Sequence, residues 1–258
     1  QVPAEAYWGA QTQRAIHNFP VSGHGPRPGF VWGTAAVKRA AAITNRNLGL
    51  IPPEKADAII KAATEVMEGG LADQFVVDAY QAGAGTSHNM NLNEVIANRA
   101  LEILGHGRAQ YSEIHPNDTV NMSQSTNDVI PTALRLHFLH DSLPLMDTLE
   151  QVELEFRHKS EQFRDILKSG RTHLQDAVPV SLGQEFGAYA ETIARGRECI
   201  CHAREALQEI GLGGSAAGTG LNVHPEYRHK VADALAEITG FDIRMSNDYF
   251  WAMQSLKP

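Results

Sequence analysis

An apolar seam repeats about every 3.5 residues through the middle of this 258-residue sequence and limits what the chain can fold into. The first set of seam residues is Leu145, Leu149, Val152, Phe156, Phe163 and Leu167. The second set is Leu182, Phe186, Tyr189, Ile193, Gly196, Ile200, Ala203, Leu207 and Ile210. Such a repeat keeps apolar side chains on one side of a long helix and is typical of helices packed in a bundle. Because two long helices cannot close a bundle alone, we expect further helices or other subunits to cover the seam.

The rest of the chain also has helical rather than strand periodicity. Helices are predicted over 31–47, after the Pro-Pro pair at 52–53, and over 93–104, while the Gly- and Pro-rich residues 1–30 are expected to be irregular. No strand-like alternation of useful length occurs, so the predicted fold class is all-α, with a small mixed N-terminal domain before the bundle helices. The natural division is a first domain over 1–124 and a helical-bundle domain over 125–258 that is incomplete at its C-terminus.

Composition excludes several classes of function. Apolar residues make up 43% of the chain and charged residues 20%, which is typical of a folded globular protein. The formal net charge of -8 argues against a nucleic-acid or anionic-membrane partner. Cys199 and Cys201 are two residues apart in a helical pattern and cannot easily bridge. Free thiols, with no signal peptide or membrane span in the sequence, predict a cytoplasmic protein.

Three polar, turn-rich stretches interrupt the helical background. They are "GAGTSHNMNLNEV" at 83–95, "HPNDTVNMSQSTNDVIPT" at 115–132, and "GRTHLQDAVPVSLGQ" at 170–184. Neutral donors at helix N-termini bind carboxylates well, because unpaired N–H groups and the positive end of the helix dipole face the ligand. Each stretch is therefore a candidate site for a small anionic substrate.

Structural interpretations of these stretches stay open on the residues alone. Ser125, Thr126 and Asn127 are good N-cap residues. The asparagines of the first stretch are suited to satisfying backbone groups in a buried turn. His173, close to Asp176, is as well explained by a structural histidine as by a catalytic one. The glycine-rich "GLGGSAAGTG" lacks a phosphate-loop ending, and paired histidines such as His137 and His140 lack a third metal ligand.

Taken together, the stretches resemble ordered blocks of one family. "VPAEAYWGAQTQRA", "GAGTSHNMNLNEVIANRA", "HPNDTVNMSQSTNDVIPT", "GRTHLQDAVPVSLGQE" and "GLGGSAAGTGLNVHPEY" resemble, in that order, blocks of the fumarase/aspartase superfamily, which includes class II fumarate hydratases and aspartate ammonia-lyases. Five ordered blocks are far more specific than one motif. The resemblance covers essentially the whole chain and corresponds to the N-terminal part of the family.

The resemblance implies a lyase and an assembly. Members are homotetramers whose central helices form one large bundle, with active sites built from three subunits. They reversibly eliminate ammonia, water or a larger amine from a succinyl group and release fumarate, without a metal or organic cofactor. A proton leaves the carbon beside a carboxylate, which creates a doubly negative aci-carboxylate that preorganised donors stabilise.

The resemblance also implies roles for individual residues. The residues matched to the ring around the substrate carboxylates are Thr86, Ser87, Ser125, Thr126 and Asn127. Thr172 and His173 match the family's Thr-His pair, in which His173 either binds the other carboxylate or helps to protonate the leaving group. A secondary anion site near the active site is expected at His115, Pro116, Asn117 and Asp118.

One block of the family has no counterpart here. The catalytic base of the family is a serine on a mobile loop that reads roughly Gly-Ser-Ser-x-Met-Pro-x-Lys-x-Asn, and no stretch of this sequence matches it. The sequence also lacks an initiator Met and has no capping signal at its end. We expect it to be part of a longer protein, with a substrate-binding half-site but no base, and to show no turnover by itself.

Two lyase activities compete on the site residues. The run "DQFVVDAYQAGAGTS" and Thr126 favour aspartate ammonia-lyase, whereas "HPND" and the His of "THLQD" are normal in fumarate hydratases. Aspartate ammonia-lyase is the favoured prediction and fumarate hydratase the alternative. Argininosuccinate and adenylosuccinate lyases fit the "GTSHNMNLNEV" block less well. A non-catalytic helical assembly module is the alternative from another class.

Overall fold

The computed structural model describes residues 1–255, and these are predominantly helical. The helices are α1 (Ala10–Asn18), α2 (Pro28–Asn47), α3 (Pro53–Met67), α4 (Thr86–Ile103), α5 (Thr126–Gln162), α6 (Leu182–Leu207), α7 (Tyr227–Thr239) and α8 (Tyr249–Gln254). Short helical turns lie at Ala72–Gln74 and Pro116–Val120. The strands are β1 (Leu167–Thr172), β2 (Gln175–Ser181), β3 (Glu209–Ile210) and β4 (Arg244–Met245). The all-α prediction is confirmed, with small strand pairs added.

Contacts divide the chain into two compact units. The first comprises residues 1–139 and 207–258, and the second comprises residues 140–206. Helix α5 contributes its first turns to one unit and the remainder to the other. The domain division predicted at residue 124 was based on the change in sequence pattern and not on contacts in space, and it stays a prediction.

Helix α2 forms the centre of the first unit because alanines let other helices approach it on several sides. Ala35, Ala36, Ala40 and Ala41 are fully buried between two apolar clusters, one formed with α3 and α4 and the other with α5 and α7. At Gly33 a Cβ atom would lie 2.6 Å from the carbonyl oxygen of Ala133. Small side chains therefore set the close packing that holds the site elements together.

Two boundaries differ from the sequence predictions for physical reasons. Helix α1 lies within the segment expected to be irregular, because the buried Glu94 carboxylate accepts hydrogen bonds from the N–H groups of Gly9, Gln11 and Thr12. This cap at the helix start is supplied from 82 to 85 residues away along the chain. Helix α4 begins at Thr86, seven residues before the predicted start at 93, so the asparagines expected in a turn lie on a helix.

In the second unit, aromatic residues of the two predicted seams pack against each other. The seams are shorter than predicted, because Leu167 lies on β1 and Ile210 lies on β3, beyond the ends of the long helices. Phe186 on α6 lies 6.0 Å from Phe156 and 5.4 Å from Phe163, measured between ring centroids. The connection between the helices is an antiparallel hairpin of β1 and β2, which the sequence reading missed. Pairing of Thr172 with Gln175 leaves His173 and Leu174 as the two turn residues.

Candidate active site

The first polar stretch forms a glycine loop that leads into α4. Gly83 and Gly85 have φ values of +92° and +85°, a region that favours glycine. A Cβ atom on Gly85 would lie 2.7 Å from Cγ1 of Ile130, so this glycine also permits close contact with α5. The backbone N–H of Ser87 donates to Oε1 of Gln81 at 2.9 Å, which fixes the loop across the start of the helix.

The asparagines of this stretch brace the structure around the loop. Asn91 donates to the carbonyl oxygen of Gln74 and accepts from the N–H of Val76. Asn89 donates to Oγ1 of Thr126 at 3.3 Å and so connects α4 with the second polar stretch. Asn93 is fully buried, and neither polar atom of its amide has a partner within residues 1–255.

The second stretch starts α5, and its capping role is real. The N–H of Asn127 donates to Oγ of Ser125 at 3.3 Å. The side-chain amide of Asn127 donates to the carbonyl oxygen of Ala216 at 2.7 Å, so the glycine-rich segment after α6 closes against the helix start. Capping and ligand binding are compatible here, because Thr126 and Asn127 are still partly or fully exposed.

The buried Asp128 also connects the start of α5 with the glycine-rich segment after α6. Its role was not predicted from the sequence. Its carboxylate accepts from the N–H groups of Ser125, Gly213 and Ser215 at 2.8 to 3.0 Å. Burial raises the pKa of Asp128 to about 6, although these three donors act in the opposite direction. The only sequence signal was an acidic residue in a first helical turn, which is common at helix starts.

An open cavity of about 490 Å³ lies where these elements meet. Its lining residues are Ala84, Thr126, Asn127, Ile130, Pro131, Leu134, Ala216, Ala217, Phe250, Met253 and Gln254. Of the residues matched to the family's carboxylate ring, Thr126 and Asn127 are therefore on the cavity wall. Ser125 precedes Thr126 in the sequence. Thr86 and Ser87 follow the cavity residue Ala84 in the sequence and form the first turn of α4.

Lys38 is the second site residue that the sequence reading missed. It is fully buried on α2, and its ammonium group donates to Oδ1 of Asn89 at 2.6 Å, Oδ1 of Asn121 at 2.7 Å and Oε1 of Gln124 at 3.0 Å. Burial lowers the pKa of Lys38 to about 7, while the negative charge of Asp128 opposes that change. In an Ala-rich helical stretch, one lysine is normally expected on the solvent face.

Thr172 and His173 belong to the second unit and are described there alone. They lie at the tip of the β1–β2 hairpin and are exposed, and His173 and Leu174 have φ values of +49° and +62°. The expected neighbour Asp176 instead accepts from Ser169 and Arg171. His173 is therefore not a buried structural histidine in this unit, and binding of a ligand by its imidazole stays a prediction.

The residues expected to form a secondary anion site start a short π-helical turn. Nδ1 of His115 accepts from the N–H groups of Asn117 and Asp118 at 3.2 and 3.1 Å. In the neutral ring the proton is therefore on Nε2. Asn117 and Asp118 are exposed and Pro116 is buried. Binding of an anion at this turn stays a prediction.

His88 is a core residue of the first unit. Its ring lies edge-to-face with Phe30 at a centroid distance of 5.5 Å. Burial lowers its pKa to about 4, and the charge of Asp78 opposes this change only in part. The imidazole is therefore neutral at neutral pH and has a packing role, which the sequence left unassigned.

Comparisons with known proteins decide the family. Residues 1–256 match the family model described as lyase. The chain belongs to the fumarase/aspartase family of lyases. It is similar to aspartate ammonia-lyase of Bacillus sp, with 48% identity over 99% of this chain and 54% of that protein. It is also similar to class II fumarate hydratase of Halobacterium salinarum, with 51% identity over 98% of this chain and 54% of that protein.

Solved structures of this lyase family have the same fold. A Brucella melitensis protein described as fumarate lyase:delta crystallin bound to cobalt superposes with a TM-score of 0.95 at 44% identity, over 98% of this chain and 55% of that one. Class II fumarase from Schistosoma mansoni gives a TM-score of 0.93 at 34% identity, over 97% and 56%. The chain thus spans about half the length of the relatives it matches.

In the part of the chain that the structure describes, no helix is long and apolar enough to cross a membrane.

Proposed function

We propose that the full-length protein containing these residues is an aspartate ammonia-lyase that eliminates ammonia from L-aspartate to give fumarate. The observation that carries the proposal is the meeting of the α5 start with two glycine-rich segments around one cavity. Thr126 and Asn127 face this space at the positive end of a 37-residue helix. A carboxylate is the ligand that this combination of neutral donors and helix dipole recognises.

The main requirement of the proposed reaction is to stabilise the negative charge that develops on the substrate carboxylate. A base removes the proton beside one carboxylate, the electron pair passes into that carboxylate, and the amine leaves as the double bond forms. Donors fixed around Thr126 stabilise the additional negative charge without having to reorganise. We assign binding of the second carboxylate, or protonation of the leaving group, to Thr172 and His173. The serine base comes from a part of the full-length protein outside these residues.

The choice between the two lyases rests on local sequence. Overall identity does not separate them, because relatives of both names match at 48% and 51%. The run "DQFVVDAYQAGAGTS", which leads into α4, and Thr126 on the cavity wall favour the ammonia-lyase. Fumarate hydratase, which interconverts L-malate and fumarate, is the second candidate.

The assay is fumarate absorbance of the full-length protein with L-aspartate and, separately, with L-malate. Turnover of L-aspartate is expected. Turnover of L-malate alone would replace the first candidate by the second, and turnover of neither would favour the assembly-module alternative. His173→Asn should lower kcat sharply, whereas an unchanged rate would return His173 to a structural role.

A homotetramer is proposed on the apolar surface of the second unit. Leu145, Leu154 and Tyr189 are 46%, 60% and 50% exposed although they lie on the bundle helices. Burial of such side chains against other subunits would stabilise the assembly.

A cytoplasmic location is also proposed, because Cys199 and Cys201 are free thiols and thiols stay reduced in the cytoplasm.

A further inference from the structure

The buried ammonium of Lys38 fixes the orientation of three amide side chains. In its charged form, which three surrounding oxygen atoms favour, the lysine side chain has three donors and no acceptor. Its partners Asn89, Asn121 and Gln124 must therefore each present oxygen, and the distances of 2.6 to 3.0 Å use all three N–H bonds. The amide N–H groups of two partners also have acceptors, since Asn121 donates to the carbonyl oxygen of Gln124 and Gln124 donates to the carbonyl oxygens of Val120 and Met122.

Because Oδ1 of Asn89 faces Lys38, its Nδ2 group faces Asn121 and Thr126. With Oδ1 held by Lys38, its Nδ2 donates to Oδ1 of Asn121 at 3.1 Å and to Oγ1 of Thr126 at 3.3 Å. The Thr126 hydroxyl is thus an acceptor on its inner side. Since a hydroxyl has one hydrogen, that hydrogen is available to a group in the cavity that Thr126 lines.

We propose that Asn89, oriented by Lys38, is a positioning residue that makes Thr126 a hydrogen-bond donor toward the substrate carboxylate. The inference rests on the proposed function and extends it. Asn89 is only 3% exposed and is not on the cavity wall, so it acts through Thr126 and does not touch substrate. A donor whose direction is fixed before the substrate binds stabilises the transition state more strongly, because it does not have to reorient during the reaction.

The test reverses the polarity of one hydrogen bond. In Asn89→Asp, one carboxylate oxygen still accepts from Lys38, but the other replaces the amide donor and accepts the Thr126 hydrogen. Thr126 would then turn a lone pair toward the substrate carboxylate. In the full-length protein, kcat/KM for L-aspartate, or for L-malate if that is the substrate, should fall about 10- to 100-fold. Asn89→Ala removes the donor without adding an acceptor and should cause a smaller loss.

A double-mutant cycle with Thr126→Val separates positioning from general damage to the fold. If Asn89 acts through Thr126, adding Asn89→Asp to Thr126→Val should cost less than threefold more, because the hydroxyl is already absent. A purely structural role would give multiplying losses and would make activity follow the melting temperature of Asn89→Ala and Asn89→Asp alike. Either result overturns the inference, as does wild-type activity in Asn89→Asp. The Asn89→Ala arm keeps the test decisive if Asn89→Asp does not fold.

The outcome for the wild-type protein distinguishes the two proposals. Turnover of neither substrate would overturn the proposed function, and the positioning role of Asn89 would be overturned with it. An active wild type with additive losses in the cycle would overturn the positioning role alone. An active wild type with non-additive losses supports both.

Discussion

At the residue scale, Gly85 combines a left-handed backbone with a close contact, and the two effects are separable. Gly83 has a similar φ of +92° but has open space around a Cβ atom, whereas a Cβ on Gly85 meets Ile130 at 2.7 Å. Gly83→Ala should cost about 1 kcal/mol in free energy of unfolding from backbone strain. Gly85→Ala should cost a further 1 to 3 kcal/mol, roughly, for overpacking against α5. Urea unfolding of the 258-residue chain measures both, and equal losses would contradict the contact.

His88 should make the fold sensitive to acid. Its pKa is about 4 in the folded chain and about 6.5 when unfolded, so the unfolded chain binds more protons between these values. The stability that neutral His88 contributes is present above pH 6.5 and is lost as the pH falls toward 4. The loss is roughly 3 kcal/mol. His88→Phe keeps an aromatic ring against Phe30 and should remove this part of the loss.

The measurement for His88 is the difference in unfolding free energy between wild type and variant at pH 7 and at pH 4.5. Taking the difference is necessary because Asp128, with its raised pKa, changes stability in the opposite direction over part of this range. His106→Gln, at an exposed position, is the control for replacing a histidine as such. A His88→Phe profile parallel to wild type would contradict the prediction.

At the scale of elements, the β1–β2 hairpin holds two non-glycine residues in left-handed conformation at its tip. Leu174 has a φ of +62° and is 91% exposed, so its side chain contributes almost no packing within the described residues. Asparagine tolerates this conformation better than leucine. Leu174→Asn should therefore stabilise the second unit by about 0.5 to 1 kcal/mol. Leu221→Asn, at an equally exposed position without positive φ, should have no such effect in thermal unfolding.

The same hairpin illustrates what the sequence could and could not predict. The long helices follow from the seam, because periodic apolar residues are a local signal. The hairpin turn has no Asn-Gly or Gly-Gly signature, since His173 and Leu174 occupy it, and so no turn signal marked it. Lys38, Asp128 and the Glu94 cap were missed for another reason. Their roles depend on partners tens of residues away, which no local pattern reports.

At the scale of the molecule, the described site is an incomplete one by the standards of its family. In the proposed lyase, the cavity at the α5 start supplies donors for a carboxylate. Thr172 and His173 lie on the hairpin of the second unit, and their part in the reaction stays a proposal. A general base is also required to remove the proton, and no stretch of the 258 residues matches the serine loop that the resemblance implies. The relatives it matches are about twice as long.

The 258-residue chain alone should therefore bind without turning over. Purified by itself and incubated with L-aspartate or L-malate, it is expected to form no fumarate above the uncatalysed rate, because stabilising an aci-carboxylate has no effect on rate until a base generates it. The full-length protein under the same conditions is the positive control. Thr126→Val in both proteins completes the comparison, since it should lower kcat/KM only in the longer one. Fumarate formation by the 258-residue chain that Thr126→Val abolishes would show that a base lies within these residues and would contradict the assignment of that role to the serine loop.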